Sequence, residues 1–245
     1  MSSARSALEI FLRRLRLRSI LSDEESAAIL SLEDCSEPRA VHGDFVEPGM
    51  PVQHACLVVE GLVGRYAQLA NGSRQIVALH IPGDMSDLLS VVAPKVTWAL
   101  RAMTPSEILR VPHRGLLELV HRYPAIGLAF WRDCMVDANI LAQWTVNIAR
   151  RDAGARLAHL FCEMAIRYSS IGANRDHYAF PINQADLADT TGLTSVHLNR
   201  MLQRFKDTEV VRKSRTQVTI QKWDELVAIA DFEDDYLQLE QDDRG

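Results

Sequence analysis

The spacing of hydrophobic residues changes twice along this chain. An N-terminal stripe has the spacing of one helix face and consists of Leu8, Phe11, Leu12 and Leu15. From about Arg39 to Pro112 the period falls to two, with glycine, proline and asparagine between the runs. The helical period then returns and continues to Tyr168. The pattern therefore predicts helices, then many short strands, then helices again.

The middle segment has the features of an antiparallel β-domain. Asn71-Gly72 lies between two alternating runs and predicts a hairpin with a type I′ turn, whose two central residues need positive φ. Many short antiparallel strands at close spacing predict a jelly roll or barrel. Before this segment, Ser22 and Glu25 have the spacing of a capping box, which predicts a second helix through Leu32.

The N-terminal stripe admits two interpretations: a helix lying on a membrane surface, or a helix packed on the following domain. We favour packing, because one short stripe gives little anchoring. No apolar run approaches the ~20 residues of a membrane span, and the N-terminus lacks the apolar core of a secretory signal. We therefore expect a cytoplasmic protein without a membrane partner.

A long helix is predicted from Pro124 to about Arg150. One apolar line in it repeats at alternating spacings of three and four, as in a heptad: Leu128, Trp131, Met135, Ala138, Ala142, Thr145 and Ala149. Such a helix either covers its own domain or pairs with a second copy. A second apolar line consists of Phe130, Leu141, Trp144 and Ile148. We favour pairing, and hence a homodimer, because the two lines together exceed the surface that one sheet needs.

Residues 183–220 have the pattern of a helix-turn-helix followed by a basic hairpin. Asn183 is the expected N-cap of the first helix, Gly192 stands at the tight turn, and Thr194 is the expected N-cap of the second helix. In the first helix Leu187 and Ala188 are expected to face inward. The apolar stripe of the second helix consists of Leu198, Met201, Leu202 and Phe205.

The opposite face of the second helix is polar and suits a DNA major groove, in which arginine contacts guanine and asparagine contacts adenine. The residues expected to contact bases are Ser195, Val196, Asn199 and Arg200. Those expected to contact phosphates are Gln184, Thr194, His197 and Gln203, together with Arg212, Lys213 and Arg215 of the hairpin turn. Arg200 is the best candidate for a guanine contact, and a surface salt bridge is its alternative role.

The charge distribution agrees with this prediction, although the net charge of the chain is -5. Residues 151–222 contain 11 basic and 7 acidic residues, net +4, whereas residues 223–245 contain 1 and 9, net -8. Positive charge is thus concentrated around the helix-turn-helix, as contact with phosphates requires.

Candidate catalytic or metal-binding patterns are absent from the sequence. The four cysteines, Cys35, Cys56, Cys134 and Cys162, are far apart and are expected to be reduced thiols. No Ser/His/Asp order, Walker loop or H-x-H pattern occurs. We expect no enzyme activity, no metal and no cofactor. The competing hypothesis is an enzyme or small-molecule sensor in which the β-domain does the work and the C-terminal domain makes only protein contacts.

The order of these segments resembles the Crp/Fnr superfamily of bacterial transcription regulators over residues 20–222. The matching sequences are G-D-F-V-E-P-G-M at 43–50, V-V-E-G-L-V at 58–63, I-P-G-D at 81–84, WALRAMTPSEILRVP at 98–112 and G-L-T-S-V-H-L-N-R at 192–200. The resemblance implies an α+β chain: a double-stranded β-helix (jelly roll) with N-terminal helices at 1–123, a dimerisation helix at 124–150, and a winged helix-turn-helix at 151–222. Residues 223–245 are expected to form an acidic, solvated tail, helical in part from Trp223.

Members of the family that bind cyclic AMP hold the ribose with a Gly-Glu pair and the cyclic phosphate with an Arg-Ser pair. The corresponding candidates here are Gly83, Asp84, Ser86, Asp87, Val96 and Thr97. Val96 stands where the arginine is expected. The absence of the arginine's contact with the cyclic phosphate costs on the order of 2 to 5 kcal/mol of binding free energy. Arg101 is five residues beyond Val96 and is expected on the other face of the strand. We therefore predict that cyclic AMP is not bound in the usual way.

The resemblance leaves the signal open. The oxygen-sensing branch uses an N-terminal cysteine cluster, which this sequence lacks, and the haem-sensing branch uses axial ligands, for which His42, His54, His80 and His121 are candidates. Scattered histidines are more often surface or core residues. The implied partners are double-stranded DNA with a twofold-symmetric operator, a second copy of the chain, RNA polymerase and a small-molecule effector of unknown identity. Val196 stands where the cyclic-AMP-binding activator of the family has an acidic residue, so we expect an operator of different sequence.

Overall fold

The computed structural model describes residues 3–239. The ends of the first and last predicted segments, residues 1–2 and 240–245, lie outside the described residues. The chain divides into two compact units. The first contains the residues up to Tyr66, Leu79–Asn139 and the residues from Leu237, and the second contains Ala67–Ala78 and Ile140–Tyr236.

The first unit is built around a β-roll. Its strands are β1 (Glu37–Val46), β2 (His54–Glu60), β3 (Val63–Gln68), β4 (Arg74–His80), whose first residues belong to the second unit, and β5 (Ala99–Pro112). Its helices are α1 (Ser3–Arg16), α2 (Asp23–Leu30), α3 (His113–Arg122) and the first part of α4 (Pro124–Arg150). The sheet order is β1-β5-β3-β4, β2 also pairs with β5, and the pairings of β5 with β1, β2 and β3 are antiparallel.

Side chains of β2 point alternately to the inner and the outer face of the roll. Cys56 and Val58 belong to a cluster on the inner face, with Val63, Leu100 and Ile108. The outer cluster contains Ala55 and Leu57 of β2 and apolar residues of the four helices. Successive side chains of a strand point to opposite sides, and both faces of β2 are buried because each packs into one of these clusters. The predicted α+β fold with a jelly roll is confirmed.

The N-terminal helices pack on this unit. The stripe residues of α1 are buried, with Leu8, Phe11 and Leu15 all 0% exposed, so the packing interpretation is confirmed. The predicted capping box at Ser22 and Glu25 is present, but the helix ends at Leu30 and a 3₁₀ turn follows at Ser31–Cys35. None of the described helices has the length and apolarity to cross a membrane.

The predicted hairpin between β3 and β4 is present, but the predicted type I′ turn is wrong. Gly72 has a φ of +86°, whereas Asn71 is not among the residues with positive φ. Leu69 N donates to Ser73 O over 2.8 Å and Gly72 N donates to Leu69 O over 2.9 Å, which closes a three-residue loop. A loop of this length needs only one residue with positive φ, and Gly72 provides it.

The second unit contains the C-terminal elements. They are α5 (Ala153–Ser170), β6 (His177–Ala179), α6 (Gln184–Thr191), α7 (Ser195–Asp207), β7 (Val211–Lys213), β8 (Gln217–Ile220) and α8 (Trp223–Ala230). The sheet order β6-β8-β7 is antiparallel. Phe161, Phe180 and Phe205 are among its largest fully buried or nearly buried side chains. The predicted winged helix-turn-helix is therefore confirmed as a fold.

The prediction of a solvated tail is wrong for the described residues after α8. Phe232 is 8% exposed and Leu237 is 1% exposed. Tyr236 donates to Glu163 over 2.9 Å and stacks on His159, with ring centroids 5.9 Å apart. The many acidic residues suggested a solvated segment, but apolar and aromatic side chains between them supply enough surface to pack. The predicted helix from Trp223 is confirmed as α8.

Candidate nucleic-acid interface

Two N-caps and one glycine fix the turn between α6 and α7. The Asn183 side chain accepts from Asp186 N over 2.9 Å and caps α6. Gly192, with a φ of +64°, ends this helix in the left-handed conformation that glycine adopts most easily. The Thr194 side chain accepts from His197 N over 3.3 Å and caps α7. The sequence predicted all three because each depends on residues only a few positions apart.

One face of α7 is anchored in the core of the second unit. Leu198 is 0% exposed, Phe205 is 2% exposed and Met201 is buried, while Leu202 is half-buried. Leu187 and Ala188 of α6 are buried as predicted. Because its inner face is packed, α7 presents the opposite face in a fixed orientation.

The four predicted base-contact residues, Ser195, Val196, Asn199 and Arg200, are all exposed on this outer face. Val196 is 81% exposed. Arg200 donates through Nη2 to Nε2 of His197 over 2.8 Å, so its recorded partner in the described part of the chain is an imidazole and not a carboxylate.

The predicted phosphate-contact residues fall into two groups. Gln184, Thr194, Gln203, Arg212 and Arg215 are exposed, and His197 is half-buried. Lys213 instead turns inward and donates to the carbonyls of Ile182, Ser214 and Arg215 over 3.4, 2.7 and 3.4 Å. Burial lowers the pKa of Lys213 to about 8. Its observed contacts therefore hold the hairpin turn closed, a role that spacing alone did not predict.

The candidate effector residues of the 83–87 segment contact other parts of the protein. The side of Gly83 on which a Cβ would project faces Ile10 of α1. Asp84 accepts from Ile81 N over 2.8 Å and forms an ion pair with Arg14. Ser86 is fully buried and donates through Oγ to the carbonyl of Cys56 over 2.9 Å.

Asp87 and the two candidates near β5 have different surroundings. Asp87 accepts through Oδ1 from Cys56 N over 2.6 Å. Val96 packs against the inner cluster of the roll, and Thr97 is exposed. Arg101 forms an ion pair with Asp44 over 3.1 Å, at a position flanked by the inner-face residues Leu100 and Ala102. It therefore points to the opposite face of β5, as predicted, and does not replace the missing arginine at Val96.

The two apolar lines of α4 lie in different environments. In the second line Phe130 and Trp144 are buried, whereas Leu141 is half-buried and Ile148 is exposed. The seven residues of the heptad line are all exposed: Leu128, Trp131, Met135, Ala138, Ala142, Thr145 and Ala149. Leu128 is 53% exposed and Trp131 is 73% exposed. A single copy of the chain therefore leaves this stripe without cover in the described structure.

The four candidate haem ligands lie on four different elements. His42 and His121 are exposed on β1 and α3, and His54 is half-buried on β2. His80 is buried, with Nε2 3.4 Å from Arg65 Nη2. Among residues 3–239, no group of three or more His, Cys, Asp and Glu side chains is arranged to hold a metal ion.

The fold and the exposed α7 define a helix-turn-helix regulator with an attached β-roll. Residues 155–229 match the family model of the Crp-like helix-turn-helix domain, and residues 45–123 match that of the cyclic nucleotide-binding domain. The regulatory protein HlyX of Actinobacillus pleuropneumoniae is 22% identical over 213 residues, covering 87% of this chain and 89% of HlyX. The fumarate and nitrate reduction regulatory protein of Vibrio cholerae is 20% identical, covering 86% of this chain and 84% of that protein.

The solved structures agree on the fold. FixK2 from Bradyrhizobium japonicum superposes with a TM-score of 0.69 at 21% identity, covering 79% of this chain and 96% of FixK2. The chain belongs to the Crp/Fnr superfamily of transcription regulators.

Proposed function

We propose that this protein binds a twofold-symmetric DNA operator as a homodimer and reads bases with Ser195, Val196, Asn199 and Arg200. The observation that carries the proposal is the exposed polar face of α7, which is anchored by a buried stripe on its other side. The net charge of +4 over residues 151–222 supports contact with phosphates. Action on cellular DNA supports a cytoplasmic location.

Selection of bound sequences from random DNA tests this function directly. We expect a palindromic consensus and an affinity that falls steeply between low and physiological salt, because several phosphates are neutralised. An affinity that does not respond to salt would favour the alternative, in which the C-terminal domain makes only protein contacts. The same selection with cell extract reports whether a soluble effector is needed.

Arg200→Ala tests base reading. The substitution is expected to cost ~1 to 3 kcal/mol on the selected operator and to relax preference at one position of each half-site. Arg212→Ala is the matched control, because the exposed Arg212 lies in the hairpin and should weaken all sequences alike. Base reading by Arg200 is refuted if its loss weakens operator and scrambled DNA equally.

The exposed heptad line of α4 supports the homodimer. Burial of a large apolar side chain such as Trp131 or Leu128 stabilises a complex by roughly 1.5 to 3 kcal/mol. Two copies would also supply two recognition helices for two half-sites. Trp131→Glu should therefore shift the protein to monomer in analytical ultracentrifugation, whereas Trp98→Glu, on the roll, should not. An unchanged dimer in Trp131→Glu would contradict a seam at this line.

We further propose that the roll does not bind cyclic AMP in the usual way. The position of the phosphate-binding arginine carries Val96, which packs against apolar residues, and Arg101 lies on the other face of the strand. A calorimetric titration giving a dissociation constant below ~100 µM, or ~5.5 kcal/mol of binding, would overturn this proposal. RNA polymerase is the expected protein partner, and its recruitment is measured by transcription in vitro from the selected operator.

A further inference from the structure

The side chains of His197 and Arg200 form a hydrogen-bonded pair on α7. They are three positions apart, a spacing that brings side chains of one helix into contact. Nη2 of Arg200 lies 2.8 Å from Nε2 of His197, and this imidazole is the hydrogen-bond partner of Arg200 within residues 3–239. Because a guanidinium has only donors, Nε2 must accept. His197 is therefore neutral in this pair, with its proton on Nδ1.

The position of His197 is fixed at the start of the helix. Its backbone N–H donates to the Thr194 side chain over 3.3 Å, which is the N-cap bond of α7. The next residue, Leu198, is 0% exposed and anchors the helix in the core of the second unit. His197 is itself half-buried, whereas Arg200 is exposed. The shorter, more restricted side chain therefore holds the end of the longer and more flexible one.

A neutral acceptor holds Arg200 without cancelling its charge. Three other arginines of the second unit, Arg167, Arg175 and Arg212, lie within ion-pair distance of carboxylates. A carboxylate in the place of His197 would compensate the guanidinium and repel DNA phosphates, whereas a neutral imidazole does neither. Arg200 therefore keeps the positive charge that contact with DNA requires.

The bond to His197 also leaves donors for a base. A guanidinium has five N–H groups, and the contact with Nε2 uses one of them. The two hydrogens of Nη2 point into different forks, one shared with Nε and one with Nη1. Whichever hydrogen His197 takes, one fork of two parallel donors stays open. Arginine reads guanine with such a fork, bidentate to O6 and N7.

We propose that His197 is a specificity-determining positioning residue, which sets the direction in which Arg200 meets its base. The sequence predicted a phosphate contact for His197, but its hydrogen bond to Arg200 favours the positioning role. A guanidinium that is held in one direction before DNA arrives loses less conformational freedom on binding. His197 acts only through Arg200, so its role rests on the proposed function, in which Arg200 reads a base.

Fluorescence anisotropy with the full-length protein measures the affinities for the selected operator and for scrambled DNA. His197→Leu removes the acceptor and should lower the ratio of the two affinities by about two- to tenfold, the contribution of one hydrogen bond. The preference should be lost at the base position that Arg200→Ala relaxes. His197→Gln keeps an acceptor oxygen and should retain most of the ratio. An unchanged ratio in folded His197→Leu, or an equal loss in both variants, overturns the proposal.

His197→Lys separates positioning from a phosphate contact. Lysine has donors and no acceptor, so it cannot hold Arg200, but its charge attracts a phosphate more strongly than a neutral imidazole does. Positioning predicts a loss of base preference in this variant. A phosphate contact predicts tighter binding of operator and scrambled DNA alike with unchanged base preference, and this result overturns the proposal.

Asp207→Ala is the matched control. Asp207 accepts from Gln203 over 2.7 Å, so this variant removes a second side-chain hydrogen bond from the exposed surface of the same helix. The lost negative charge should change the affinities for both DNAs together and leave the base preference intact. A loss of preference equal to that of His197→Leu would show that any disturbance of α7 has this effect, and it would overturn the specific role of His197.

The Arg200→Ala variant separates failure of the positioning role from failure of base reading. In this background His197→Leu should have no further effect on base preference, and a further loss overturns the proposal. If Arg200→Ala lowers the affinity ratio but His197→Leu does not, the positioning role fails alone. If Arg200→Ala leaves the ratio unchanged, base reading by Arg200 fails and the role of His197 fails with it. Circular dichroism shows whether each variant is folded, and if His197→Leu is not, His197→Gln compared with His197→Lys decides the outcome.

Discussion

Alanine at Gly83 should destabilise the roll more than alanine at Gly49, although the two glycines have almost the same backbone conformation. Their φ values are +88° and +83°. A side chain in this region of backbone space costs about 1 to 2 kcal/mol at either position. The two positions differ in what the added Cβ would meet.

At Gly83 the new Cβ would lie 2.2 Å from Cγ2 and 2.8 Å from Cβ of Ile10, whereas at Gly49 nothing lies within 4 Å. Overpacking of this kind costs typically ~1 to 3 kcal/mol. Gly83→Ala should therefore cost about 2 to 5 kcal/mol in total, against about 1 to 2 for Gly49→Ala.

Urea unfolding of the full-length protein, followed by circular dichroism, measures both costs. Adding Ile10→Ala to Gly83→Ala removes the clash, so the double variant should be more stable than the sum of the single changes by ~1 to 3 kcal/mol. Equal costs at the two glycines, or strict additivity with Ile10→Ala, would refute the close contact between α1 and the turn at Gly83.

Two further predictions concern the second unit. Glu163 is fully buried and accepts from Trp144, Tyr236 and Arg167 over 2.8, 2.9 and 3.1 Å, so Glu163→Gln should cost ~3 to 5 kcal/mol in urea unfolding. Tyr236→Phe removes one donor and should cost ~1.5 to 3 kcal/mol; a smaller cost for Glu163→Gln than for Tyr236→Phe would contradict the network. Burial lowers the pKa of His159 from 6.5 to about 4. Between pH 6.5 and pH 4 the unfolded chain therefore binds a proton at His159 that the folded chain does not bind. Stability present above pH 6.5 should fall by about 3 kcal/mol on acidification to pH 4. This pH dependence should shrink in His159→Gln and persist in the exposed-site control His42→Gln, and an equal loss in all three proteins would argue against His159.

The elements with local signals were predictable from the sequence. The caps at Asn183 and Thr194 and the turn at Gly192 each depend on residues within one or two helical turns, and all are present. Helix α4 begins at Pro124 and ends at Arg150, as its uninterrupted period indicated. The type I′ turn was wrong because the dipeptide Asn71-Gly72 does not fix the loop length, which depends on how the two strands pair.

The packed tail illustrates what acidic composition does not reveal. Residues 223–239 contain many carboxylates, but Phe232 and Leu237 are buried. The partner of Tyr236 is Glu163, 73 positions earlier in the chain. The inward turn of Lys213 has the same origin, because the carbonyl of Ile182 lies 31 positions away from it.

The sequence by itself determined the order of the elements, the polar outer face of α7 and the apolar heptad line of α4. Each follows from a period of two, 3.5 or 3.6 residues and from capping groups close in the chain. The tertiary structure alone brought Asp87 to the Cys56–Arg110 pair of β2 and β5 and left Oδ2 of Asp87 and Nε of Arg110 without a hydrogen-bond partner among residues 3–239. Hydrogen-bond satisfaction depends on three-dimensional neighbours, and those of Asp87 and Arg110 come from three separate segments of the chain.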